Sequence, residues 1–142
     1  MSADNQQERL NANWISGFTD GEGCFHVSIN KMPTMTLGWQ VLPEFRIVQH
    51  EKDEKVLYQI KDYFKFGDVK INRIDNTSTR KEFRVRGIDN LKKLILFFKE
   101  YPLNTSKKKD FEIFCEIINM IDNKEHLTRE GLNKIAKLIS QM

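Results

Sequence analysis

Two runs of strict apolar–polar alternation, each followed by a helical repeat, limit what this chain can fold into more than any other feature. Phe25, Val27 and Ile29 alternate with His26, Ser28 and Asn30. After a turn at Lys31-Met32-Pro33-Thr34, Trp39, Val41, Phe45 and Ile47 alternate with Gln40, Glu44 and Arg46. Successive strand side chains point to opposite faces, so each run predicts a strand with one buried face. Pro43 removes a ladder donor from the second strand, which predicts an edge position or a bulge there. Val56, Leu57, Ile60 and Phe64 then recur at helical spacing over about residues 52–65.

The scheme repeats. Val69 and Ile71 oppose Lys70 and Asn72, and a turn at Asp75-Asn76-Thr77-Ser78-Thr79 leads to Phe83 and Val85 against Glu82, Arg84 and Arg86. A helix follows with Leu91, Leu94, Ile95 and Phe98, with Asp89 as its expected cap and Pro102 closing it. Two more helices are predicted, one after Thr105-Ser106 carrying Phe111, Phe114, Ile117, Ile118 and Ile121, and one capped by Thr128 carrying Leu132, Ile135 and Leu138. With a short helix over residues 13–21, on the apolar positions Trp14, Ile15 and Phe18, the order is α-β-β-α-β-β-α-α-α. Two hairpin-plus-helix units predict a four-stranded antiparallel sheet with helices on one face, an α+β fold.

Composition narrows the function classes. The 142 residues suit one domain, read as 1–142 with a loose polar arm over 1–10. Hydrophobic residues make up 39% and charged residues 30%, a globular balance, and no apolar run approaches the roughly 20 residues of a bilayer span. The polar N-terminus lacks a signal-peptide core. Cys24 and Cys115 stand far apart and His26, His50 and His126 are scattered, which argues against a disulfide framework or a zinc site. The net charge of +3 does not by itself announce a nucleic-acid binder, so placement of charge matters more.

That placement is one-sided. If the apolar strand positions turn toward the helices, the other face of the sheet shows His26, Ser28, Asn30, Gln40, Glu44, Arg46, Lys70, Asn72, Arg80, Glu82, Arg84 and Arg86. An open antiparallel sheet facing water would also be polar there. The mixture favours another use, because these donors and acceptors are the ones that read base edges and hold phosphates.

The segment Trp14-Ile15-Ser16-Gly17-Phe18-Thr19-Asp20-Gly21-Glu22-Gly23 breaks several helix preferences within one turn or two. Gly17 and Gly21 each cost about 1 kcal/mol relative to alanine. Asp20 and Glu22 sit at the C-terminal end, where the helix dipole disfavours negative charge. Such violations mark functional sites. Gly17-x-x-x-Gly21 bares two backbone patches on one helix face, so a second helix can approach closely. Two such helices would bring two carboxylates together, and a divalent cation relieves their repulsion. A calcium loop is excluded, because Phe25 stands where glycine is needed and Lys31 where a bidentate glutamate belongs. A dinucleotide fingerprint fails too, since the glycines follow a helix instead of a strand.

From Ile15 to Gly23 the segment resembles the LAGLIDADG motif of homing endonucleases, position by position, and the resemblance runs on to the helix near Lys107. It implies saddle-shaped antiparallel sheets straddling double-stranded DNA, with the motif helices packed together. One copy of the motif implies a homodimer, with Gly17, Gly21, Ser16 and Asp20 at the interface. By resemblance Glu22 is the metal-binding carboxylate, the Gly21 carbonyl completes the metal site, and Asp20 is more structural than catalytic. Gln49 would hold a water and Lys107 would be the active-site lysine. Both admit plainer readings, as a strand end and a solvated helix start. Asp53, with Lys52 beside it, falls where some members place an arginine.

The implied activity is Mg²⁺-dependent hydrolysis of phosphodiester bonds, with Mn²⁺ able to substitute and Ca²⁺ supporting binding only. The product would be a double-strand break with short 3′ overhangs at a long, roughly palindromic site. The setting would be organellar, with no membrane partner. The rivals are a non-cleaving RNA maturase or DNA-binding regulator of the same family, and a plain structural dimer. Retention of Glu22, Gln49 and Lys107 together favours the enzyme.

Overall fold

The computed structural model describes residues 10–142. The arm expected over residues 1–10 lies outside them except for Leu10, which packs on the core. In chain order the elements are α1 (Ala12–Glu22), β1 (Gly23–Lys31), β2 (Trp39–His50), α2 (Glu54–Phe64), β3 (Asp68–Ile74), β4 (Thr79–Val85), α3 (Ile88–Glu100), α4 (Lys107–Asp122) and α5 (Arg129–Ile139). This is the order the periodicity predicts. Single 3₁₀ turns, Glu51–Asp53 and Glu125–Leu127, precede α2 and α5.

The four strands form one antiparallel sheet in the order β1-β2-β4-β3. β2 is therefore central, and Pro43 is not on an edge strand. The ladder explains its tolerance: β1 covers β2 from Trp39 to Ile47, but β4 covers it only from Phe45 to His50. At Pro43 β2 has a neighbour on one side only, so a missing donor can be accommodated.

The helix-covered face carries the core. Phe25 sits at its centre, with ring centroids 5.0 Å from Phe45, 5.7 Å from Phe98, 5.4 Å from Phe111 and 5.2 Å from Phe114. Ile15, Ile47, Leu57, Ile60, Leu91, Leu94 and Ile117 are fully buried around it. This apolar layer fixes the register, since a one-residue slip would turn every strand side chain to the other face.

Several expectations change at the margins. Ile71 is 54% exposed, because edge strand β3 carries a register shift between Ile71 and Arg73 and leaves the helices' cover. Trp39 is 40% exposed at the very start of β2. Trp14 and Phe18 stack on each other at 4.8 Å; Ile15 is fully buried, Phe18 packs partly buried against the core, and Trp14 is 41% exposed. Gly87, not Asp89, is the N-cap of α3. The Thr128 cap is as expected, its hydroxyl accepting from the Gly131 N–H. The β3–β4 turn is tied by Asp75, whose Oδ1 accepts from the N–H groups of Thr77 (2.9 Å) and Ser78 (2.8 Å); these bonds hold its carboxyl down at about 2.

Candidate active site and nucleic-acid interface

α1 runs into β1 without a loop. Gly23 caps the helix in an extended conformation (φ −78°, ψ 160°), so the glycine-rich end is not a left-handed stop. Packing requires glycine there instead, since a Cβ on Gly23 would lie 2.6 Å from the Thr19 methyl. The direct helix–strand junction leaves Gly21 and Glu22 exposed at the end of α1. Glu22 has no hydrogen-bond or ion-pair partner among the described residues.

One side of α1 is built inward. Ser16 is 4% exposed, and its hydroxyl donates to the carbonyls of Tyr101 (2.8 Å) and Pro102 (3.1 Å). Asp20 accepts from the N–H groups of Asn104 (2.9 Å) and Thr105 (3.0 Å) and from the Thr105 hydroxyl (2.8 Å). Burial works against its charge, but the Thr105 and Asn104 amides, the Thr105 hydroxyl and the nearby Lys107 outweigh it and lower its pKa. Ser16 and Asp20 therefore fasten α1 to the α3–α4 connection, Ser16 from a buried position and Asp20 from a partly exposed one.

The outward side is different. Gly17 and Gly21 are exposed, and a Cβ built on either meets nothing within 4 Å. Among the described residues these glycines answer no packing demand. With Trp14 and Phe18 they form a partly apolar, low-relief stripe along α1.

The α3–α4 connection also delivers Lys107. Its Nζ donates to the carbonyl oxygen of Gly23, next to Glu22. Lys108 and Lys109 are exposed. Gln49 is half-buried at the end of β2, two residues beyond Ile47, the partner of Gly23. Its amide donates to the carbonyl of Val48 (2.8 Å) and makes no hydrogen bond with Glu22 or Lys107. The fold thus joins Lys107 to the motif directly and brings Gln49 only to its neighbourhood.

The opposite face of the sheet collects the polar residues as expected. Register pairs His26 with Glu44, Asn30 with Gln40, Arg46 with Arg84, His50 with Arg80, and Lys70 with Glu82. Two of the candidates are not accessible: Glu44 and Glu82 are each 6% exposed. Two further basic residues share this face. His50 continues the alternation Arg46, Val48, His50 and was legible. Arg73 was not, because its odd position predicts the helix side; the register shift after Ile71 places it opposite Arg80 instead.

The chain thus combines a helix that leaves two glycines and a carboxylate exposed with a polar sheet face rich in arginine. The LAGLIDADG endonuclease family model matches residues 15–118, and the chain belongs to that family. Its fold superposes on the homing endonuclease I-TnaI with a TM-score of 0.89 and 46% identity, covering 94% of this chain and 88% of that one. It superposes on I-SmaMI, bound to an uncleaved DNA target in the presence of calcium ions, with a TM-score of 0.86 and 30% identity, covering 93% of this chain and 44% of that one. It is 33% identical over 143 residues to a probable intron-encoded endonuclease 3 of Neurospora crassa, across all of this chain and 26% of that protein. The chain spans about a quarter of the length of the two Neurospora endonucleases it resembles.

Proposed function

We propose that this chain acts as one domain of a site-specific DNA endonuclease, pairing with a second copy of itself through α1. The observation that carries this reading is the end of α1: an exposed Glu22, unpaired among the described residues, beside two glycines that no described residue covers. Membership of a homing-endonuclease family and likeness to DNA-bound I-SmaMI support it.

Glu22 and the Gly21 carbonyl would hold the metal. Among the described residues no group of three or more His, Cys, Asp or Glu forms a metal cage. One free carboxylate per chain fits Mg²⁺, which keeps several waters and takes only one or two carboxylates. A divalent cation bound there would supply water activation and charge neutralisation at the leaving 3′ oxygen. Lys107, fixed at the Gly23 carbonyl, stabilises negative charge near the scissile phosphate. Gln49 orients water. The face bearing Arg46 and Arg84 reads the major groove, since arginine pairs with guanine by two parallel hydrogen bonds. Double-strand cleavage with short 3′ overhangs, Mn²⁺ in place of Mg²⁺, Ca²⁺ supporting binding only and an organellar setting complete the proposal.

The test is cleavage of a randomised DNA library with Mg²⁺, sequencing the cut ends, repeated with Glu22→Gln. The wild type should yield one long, roughly palindromic site. The variant should bind that site and cut it at least a hundredfold more slowly, within the range of losing a transition-state stabiliser. Cutting by Glu22→Gln at a near-normal rate would remove Glu22 from the metal site. Tight binding to a chosen DNA without cutting by the wild type would favour the regulator.

A further inference from the structure

The face proposed to read DNA holds a carboxylate that DNA cannot reach. Glu44 is 6% exposed, whereas the arginines around it are open: the side chains of Arg46 and Arg86 are 31% and 43% exposed. Arg86 Nε donates to Glu44 Oε2 at 2.8 Å, and Arg46 Nε lies 3.6 Å from Oε1, an ion pair too long for a hydrogen bond. Arg46 lies two residues along β2 from Glu44, and Arg86 follows the end of β4. Arg84, the cross-strand partner of Arg46, adds a third guanidinium nearby. One buried acid thus underlies the basic centre of the sheet.

A group that reads a base must meet it, and this carboxylate is covered. Its contacts use the inner nitrogen of each guanidinium. The outer nitrogens, which form the two-bond pair with guanine, are not engaged by it. Without the acid, three neighbouring cations would repel one another. A flexible arginine must also be immobilised when DNA arrives, and a side chain held beforehand loses less freedom at that step.

We infer that Glu44 is a positioning residue: it reads no base itself but holds Arg46 and Arg86 from below in the orientation in which they read. This rests on the proposed DNA-reading function of the sheet and reassigns Glu44 within it.

Glu44→Gln keeps the size and removes the charge. Selection from a randomised library is to be compared among wild type, Glu44→Gln, Arg46→Ala and the double variant. The expected result is a loss of about tenfold in preference at the base positions that depend on Arg46, the scale of one arginine–base contact. In the Arg46→Ala background Glu44→Gln should add nothing at those positions. Affinity for mixed-sequence DNA at low salt should rise, since the sheet gains net positive charge. A purely supporting role would instead lower binding evenly across sequences, and that outcome overturns the assignment. A second measurement needs no variant: in the free wild type the Arg86 Nε–H should exchange with water markedly more slowly than that of an unpaired arginine. Rapid exchange there would refute the clamp even if Glu44→Gln failed to fold. If the wild type selected no sequence at all, the proposed function would fall and the positioning role with it. If the wild type selected and Glu44→Gln kept the same profile, only Glu44 would be lost.

Discussion

The Lys107 ammonium donates to the carbonyl oxygen of Gly23, so the first residue of α4 closes on the residue that follows Glu22 at the end of α1. The contact joins positions 84 residues apart. It sets a cation against the carbonyl-rich end of a helix, where the dipole favours positive charge. Asp20 secures the approach by holding the amides of Asn104 and Thr105 just ahead of α4.

Lys107→Ala should therefore slow cutting at every target alike. Its charge acts on phosphate, which carries no sequence information. A loss of about a hundredfold to a thousandfold is expected, the scale of one electrostatic stabiliser. Single-turnover rates on all single-base variants of the target give the comparison. A shift in base preference would place Lys107 on the reading surface instead.

Gly17→Leu should separate folding from association. A Cβ on Gly17 meets nothing within 4 Å in the single chain, and leucine favours helix over glycine by roughly 0.5–1 kcal/mol. The monomer should melt no earlier than the wild type. Association should weaken by about 1–3 kcal/mol, the cost of overpacking a close contact. Sedimentation velocity and thermal melts measure the two effects. An undiminished dimer would mean that α1 is not the seam.

The strand pattern was legible because the apolar layer imposes a period of two that the polar layer mirrors. Phe25, Phe45 and Phe83 all turn to the core as the alternation requires. Legibility fails where geometry depends on a neighbouring strand. Nothing in the sequence of β3 announces the shift between Ile71 and Arg73 that exposes Ile71 and turns Arg73 over. Burial of Glu44 and Glu82 was hidden for a related reason. Alternation assigns a face, but cover by flanking side chains decides whether that face can be touched. Ser16 and Asp20 lie in the motif yet bond to their own chain, because a helix motif has two sides and only the Tyr101–Thr105 segment shows which one it occupies.

Asp20 should also give the α1 anchor a pH dependence. Its folded pKa lies below the ordinary carboxylate value, so the anchor is fully present above about pH 4 and is lost as pH falls through the folded value. Asp20→Asn should be less stable than wild type at pH 7 by roughly 1–2 kcal/mol, for hydrogen bonds to a mostly solvated charge. The gap should narrow below pH 4 as the wild-type carboxyl takes its proton. Urea denaturation from pH 7 down to pH 2.5 follows both proteins. A gap independent of pH would show that the charge of Asp20 does not contribute.

Arg73 carries the last prediction, because its placement follows from the register shift and not from the alternation. It lies opposite Arg80, both are exposed, and neither has an acidic partner among the described residues. Like charges directly opposite on a sheet are destabilising, by about 0.2–1 kcal/mol. The free protein would therefore be better off without this pair, whereas a phosphate between the two guanidinium groups would turn the repulsion into a binding site. Arg73→Ala should leave the free protein slightly more stable in urea. It should weaken binding to target DNA evenly across sequences, and lower the dependence of log K on log salt by about one unit. Titrations at several salt concentrations, on the target and on mixed-sequence DNA, give both quantities. If the free protein lost stability and the salt slope stayed unchanged, Arg73 would belong to the covered side of β3, and the register shift would not matter for DNA.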